Sequence, residues 1–162
     1  MSETIYIETS ILGYLTARAT NNLILAANMK VTQDWWDSRR SSFALYTSEI
    51  VWDEAAKGDR EIAAQRLSLL QPLMILDMTE SAITLAQKFL QQSNLPLKAS
   101  NDALHMAIAT VYGLNYLLTW NCKHMANAQI QIKLSKISSE FGYNLPIICT
   151  PYQSIEYEVM GE

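Results

Sequence analysis

The sequence predicts an α/β fold of the doubly wound kind, a parallel sheet with helices on both faces. Short β-rich runs alternate with longer helical stretches along the whole chain, the pattern of strands joined by helical crossovers. The runs are mostly apolar, as strands covered on both faces must be. Glycines stand where helical periodicity stops, at Gly58, Gly113 and Gly142.

Residues 4–7 form the first strand, and a helix over 11–17 follows it with Thr9 and Ser10 as possible N-caps. A long amphipathic helix spans 23–39 and leads to a strand over 43–46. Ser48 then opens a helix over 49–57, which ends at Gly58, and a second helix covers 60–70. Strand 73–76 is followed by helix 81–92. Helix 102–112 is apolar nearly all round, which marks it as central and buried. Strand 115–119, helix 128–141 and strand 146–149 complete five strands in one domain spanning 1–162.

A chain of 162 residues can bury a sizeable core without disulfides, and its few glycines and prolines leave no linker or repeat. The N-terminus lacks the basic region and long apolar core of a secretory signal, and no run is long enough to span a membrane. Two cysteines, Cys122 and Cys149, are too sparse for a disulfide scaffold, so a reducing cytoplasm is expected. The net charge of −4 argues against a broad basic nucleic-acid-binding face. It leaves room for a nuclease, because acids gathered around a divalent cation contribute to such a charge.

Doubly wound sheets bind ligands at the carboxyl ends of their strands, where the strand order reverses. Those ends carry Glu8-Thr9-Ser10, Thr47-Ser48, Asp77 and Asn121-Cys122. Glu8 follows the apolar Ile5-Tyr6-Ile7 directly, and it reads either as a ligand or as an acid favoured by a helix dipole. Asp53 stands four residues before Lys57 and four after Glu49, on a solvated face. Glu54 shares a face with Ile50 and Val51, so it either reaches past the apolar edge to water or needs a partner or a metal. Asp102 opens the buried helix and would point into the crevice, unless Ser100 caps and Asp102 only complements the dipole. Asn121 is either a neutral oxygen donor or a turn residue. Acids brought together in this way are tolerated with a cation between them, and an all-oxygen set suits Mg²⁺ or Mn²⁺. Zinc would require soft ligands beyond Cys122 and His124.

These stretches resemble the ordered motifs of PIN domains. Tyr6-Ile7-Glu8-Thr9-Ser10-Ile11-Leu12 looks like the opening motif, and Thr47-Ser48-Glu49-Ile50-Val51-Trp52-Asp53-Glu54 is similar to the second, whose acid matches Glu54. Asn101-Asp102-Ala103-Leu104-His105-Met106-Ala107 resembles the third, and Leu117-Leu118-Thr119-Trp120-Asn121 the fourth. Two positions depart from the family's pattern: Glu8 stands where Asp is usual, one methylene longer, and Asn121 stands where Asp is common. The resemblance implies a three-layer α/β/α fold with a five-stranded parallel sheet and metal-dependent endoribonuclease activity. It also implies the VapC-type toxin subgroup, with a small antitoxin as partner and a homodimer as assembly.

The expected roles follow. Glu8, Glu54 and Asp102 hold one or two Mg²⁺ or Mn²⁺ ions, Asn121 is a weaker or water-mediated ligand, and Ser10 orients a water or a ligand carboxylate. His105, on an apolar helix, is expected to be a packed, hydrogen-bonded core residue. Lys123, His124, Arg18, Lys57 and Arg60 are candidates for RNA phosphate contacts. Of Trp35 and Trp36, adjacent on one helix, one is expected in the core and the other at a dimer or antitoxin interface. Two competing readings remain: a catalytically weak PIN-like module that binds RNA or protein, and a phosphotransfer domain with Asp77 as its acceptor.

Overall fold

The computed structural model describes residues 2–154. Five strands, β1 (Glu3–Ile7), β2 (Phe43–Ser48), β3 (Met74–Leu76), β4 (Tyr116–Leu118) and β5 (Ile147–Cys149), form one parallel sheet in the order β3-β2-β1-β4-β5. The helices are α1 (Thr9–Thr16), α2 (Leu23–Ser38), α3 (Glu49–Ala55), α4 (Arg60–Leu70), α5 (Glu80–Gln92), α6 (Ser100–Val111) and α7 (Ala128–Glu140). They pack as two groups, α1 against α2, α3 and α4, and α5 against α6 and α7, giving the expected α/β/α layers.

Burial follows position in the sheet. Central β1 is covered on both faces, with Ile5, Tyr6 and Ile7 wholly buried, and α6 beside it buries Ala103, Met106, Ala107, Ile108 and Ala109. The edge strands depart from the expectation of two covered faces, since Met74 and Ile75 on β3 and Ile147 on β5 are each more than half exposed. A strand with one neighbour borders solvent, and its apolar residues alone do not reveal this.

Several boundaries differ for local reasons. Helix α1 starts at Thr9 rather than residue 11, because the side chain of Glu8 itself caps it by accepting from the Ser10 N–H. Helix α6 starts at Ser100, whose hydroxyl donates to the Leu97 carbonyl and so does not cap the helix. Ser48 caps α3 as expected, with its Oγ accepting from Val51 N. Both tryptophans are buried, so neither is left for an interface. Trp35 stacks on Phe43, while Trp36 is covered by the Arg40 guanidinium 5.1 Å from its ring. Adjacent helical residues diverge by about 100°, and a broad apolar face accommodates both.

The long helix α2 depends on an exposed cap, Asn22, whose Oδ1 accepts from Leu25 N at 3.0 Å. Asn22→Ala is expected to cost about 1 kcal/mol and lower the melting temperature by roughly 2–4 °C. Thermal denaturation followed by circular dichroism reads this, and an unchanged midpoint would show that tertiary packing alone sets the helix start.

Candidate active site

The strand order reverses between β1 and β4, and the ends of these two strands are tied together. Glu8 N donates to the Leu118 carbonyl at 3.2 Å, so Glu8 leaves β1 beside Thr119 leaving β4. Glu8 is buried. Its Oε2 accepts from Ser10 N at 3.0 Å, from the Ser10 hydroxyl, and from Thr119 Oγ1 at 2.9 Å. Ser10 Oγ in turn accepts from Trp120 N at 2.9 Å, so one serine joins both strand ends. A carboxylate removed from water demands such donors, and all those named fall on one of its two oxygens.

Glu54 comes from the last turn of α3, on the face it shares with buried Ile50 and Val51, while Asp53 faces solvent. Glu54 is half-buried, and its Oε1 accepts from Thr9 Oγ1 at 2.7 Å and from His105 Nε2 at 2.6 Å. Burial alone would raise its pKa. The hydrogen bond and charge of His105, with further bonds from Thr9 and Asn101, outweigh that and hold the carboxyl below its ordinary range.

His105 is wholly buried, as expected, but it is not a bystander. Its Nδ1 lies 2.7 Å from the Tyr6 hydroxyl, which lies 2.7 Å from Ser48 Oγ. Burial works against the charged imidazole. The hydrogen bond to Glu54 and the charges of Glu8, Glu54 and Asp102 overcome it and raise its pKa. All three acids therefore act on one imidazole. Burial likewise pushes the Tyr6 phenol far above its usual range, so it remains a neutral hydroxyl.

Asp102, in the first turn of α6, is half-buried, and its Oδ2 lies 3.0 Å from His124 Nδ1. His124 is thus tied to Asp102 and partly buried in the turn after β4. Asn121 acts as a turn residue: its Oδ1 accepts from His124 N at 2.9 Å, and its backbone carbonyl accepts from Met125 and Ala126. Trp120 anchors this loop, with Nε1 donating to Thr32 Oγ1 at 2.8 Å and its ring stacked on Tyr14.

The donors suit a hard divalent cation in kind, since Glu8, Glu54 and Asp102 all offer carboxylate oxygens. Among the described residues no group of three or more His, Cys, Asp or Glu side chains converges as a ready-made metal cage. An ion held by these acids would accordingly keep water among its ligands, as Mg²⁺ commonly does.

Sequence reasoning missed Tyr6, Thr9, Thr119 and the linking role of His105. One signal was present: a tyrosine in the middle of an otherwise aliphatic central strand must satisfy its hydroxyl in the interior. The remaining candidates lie apart from these contacts. Arg18 is exposed with Asp59 at 3.9 Å, and Lys57, Arg60, Lys123 and Asp77 are exposed. A groove of about 740 Å³ between α7 and β5, lined by Gln131, Ile132, Leu145 and Ile147, contains none of the acids.

Comparison with known proteins bears on the fold and the family. The chain is similar to the crystal structure of Mycobacterium tuberculosis VapC20, a Sarcin-Ricin loop cleaving toxin, with a TM-score of 0.59 and 16% identity, covering 74% of this chain and 92% of that one. It is similar also to a chain of Rickettsia felis VapBC2 bound to a DNA fragment from their promoter, with a TM-score of 0.52 and 16% identity, covering 91% and 98%. At such identity the likeness concerns the fold. No curated protein matches. The PIN domain family model matches residues 5–121, most of the chain and all four motif regions, and the chain belongs to the PIN-domain family.

Proposed function

We propose that this protein is a metal-dependent endoribonuclease of the VapC type, the toxin of a type II toxin–antitoxin pair. One arrangement carries the reading: Glu8 leaves β1 at the reversal point of the sheet, and Glu54 is hydrogen-bonded both to Thr9, the residue after Glu8, and to His105 on α6, the helix whose first turn carries Asp102. In this reading the three acids hold Mg²⁺ or Mn²⁺, and Asn121 is a weaker or water-mediated ligand, since one of the two lone pairs on its amide oxygen already accepts from His124 N. A divalent ion bound there would supply charge neutralisation and an activated water for in-line attack on the phosphodiester. Ser10 and Thr119 fix the Glu8 carboxylate, Thr9 and His105 fix that of Glu54, and His124 fixes that of Asp102. No protein nucleophile is required.

The likeness to the VapC20 toxin and to a VapBC2 chain supports an RNA substrate and a small antitoxin partner. A homodimer in the cytoplasm completes the reading. No helix among the described residues is long and apolar enough to cross a membrane. The alternative, a PIN-like module that binds without cutting, draws on Asn121, where an amide engaged in a turn replaces the acid common in the family.

The test is cleavage of a mixed RNA pool by the purified protein. Cutting is expected with Mn²⁺ or Mg²⁺, loss of cutting with a chelator, and recovery when metal is restored. Binding of RNA without cutting under any metal would favour the alternative, and cutting that survives chelation would overturn the metal assignment.

A further inference from the structure

We infer that Tyr6 and His105 form a buried positioning pair for Glu54, orienting its carboxylate for the metal through a directed chain of hydrogen bonds from Ser48. The inference rests on the proposed metal-binding role of Glu54 and adds residues other than the acids themselves. The chain is continuous: Ser48 Oγ to Tyr6 Oη at 2.7 Å, Tyr6 Oη to His105 Nδ1 at 2.7 Å, and His105 Nε2 to Glu54 Oε1 at 2.6 Å. Chemistry fixes its direction at the far end. An ionised carboxylate only accepts, so Nε2 must carry the hydrogen that points at Glu54, whatever the state of Nδ1. The Nδ1 side then depends on Tyr6, whose hydroxyl donates to the neutral ring or accepts from the charged one.

The arrangement meets the demands on a device that orients a ligand. His105 is wholly buried and packs edge-on against Tyr6, with ring centroids 5.7 Å apart, so the imidazole cannot swing away. Its two nitrogens are both occupied, and the anchor lies on β1 and at the β2–α3 junction, the rigid middle of the sheet. Thr9 holds the same Glu54 oxygen from the side. Such outer contacts are commonly worth about 10–100-fold in metal affinity.

The experiment measures Mn²⁺ affinity by calorimetry for wild type, Tyr6→Phe, His105→Gln and His105→Leu, with the melting temperature of each as a folding control. His105→Leu is expected to weaken Mn²⁺ binding about tenfold or more, Tyr6→Phe by a smaller factor, and His105→Gln to recover much of the loss by presenting an amide N–H to Glu54. Because the chain has two histidines, ¹⁵N-imidazole spectra with a His124→Gln reference assign His105, and its hydrogen is expected on Nε2 in wild type. Folded variants that bind Mn²⁺ as wild type does would overturn the positioning role while leaving the nuclease reading intact, and so would an Nε2 without hydrogen. Should His105→Leu fail to fold, Tyr6→Phe and His105→Gln decide alone. A folded wild type that binds no Mn²⁺ would instead overturn the metal reading itself, and the inference with it.

Discussion

Glu54→Gln is expected to lower RNA cleavage by about 10³-fold or more with little loss of fold, and Asp102→Asn to act likewise. The glutamine amide oxygen can accept from Thr9 and His105 as the carboxylate does, so shape and contacts survive. What disappears is one negative charge facing the ion and the phosphodiester. Direct metal ligation is worth several kcal/mol in the transition state, and about 4 kcal/mol corresponds to about 10³-fold in rate. At Asp102 the amide retains a partner for His124, and again only the charge is removed. Single-turnover cleavage at saturating Mn²⁺, alongside thermal melts, checks both. Rates within tenfold of wild type in folded Glu54→Gln and Asp102→Asn proteins would remove these acids from the chemistry.

These substitutions also mark what could be read before any coordinates. The acids were legible because strand ends and helix faces are local properties: Glu8 closes an aliphatic run, and Glu54 sits on the apolar side of its helix. The strands were legible for the same reason, and the helix limits fell within about two residues of the sequence reading because most caps declare themselves. Asn22, Asp59, Thr79 and Asn127 each accept from a first-turn N–H. What holds the acids was not legible. Thr119 reaches Glu8 across 111 residues and Tyr6 reaches His105 across 99, and those meetings depend on β1 lying next to β4. Apolar strands look alike whatever their order in the sheet, so neither neighbour nor edge can be assigned from composition. Trp36 failed for a related reason. Its ring is covered by the guanidinium of Arg40 from the turn that follows α2, a cover that the amphipathic pattern of the helix does not reveal.

Trp35→Ala is expected to give the largest loss of stability among single substitutions away from the acids. The side chain is wholly buried, stacks on Phe43 with ring centroids 5.9 Å apart, and donates through Nε1 to Ser154 Oγ at 2.9 Å. Phe43 in turn meets Tyr116 edge-on at 5.7 Å, so three aromatic rings run from α2 across the beginnings of β2 and β4. Parallel strands put their beginnings at the end of the sheet opposite Glu8 and Thr119, and this contact ties α2 to them, while α2 also packs on α1 and on the turn after β5. Truncation removes the burial of a large ring, leaves a cavity in a close-packed core, and strands the Ser154 hydroxyl, for a total of about 3–5 kcal/mol. For a chain of this size the melting temperature should fall by roughly 6–20 °C. Trp35→Phe keeps the stack and loses the N–H donor and some volume, so its loss should be the smaller one. Because the Trp35 side chain stacks on Phe43 and bonds to Ser154, and among the described residues to none of the acids, the fraction of Trp35→Ala protein still folded at low temperature should cleave RNA at the wild-type rate. A Trp35→Ala protein that melts normally would show the cavity collapsing at little cost, and one that folds but cannot cut would mean that the two ends of the sheet are coupled.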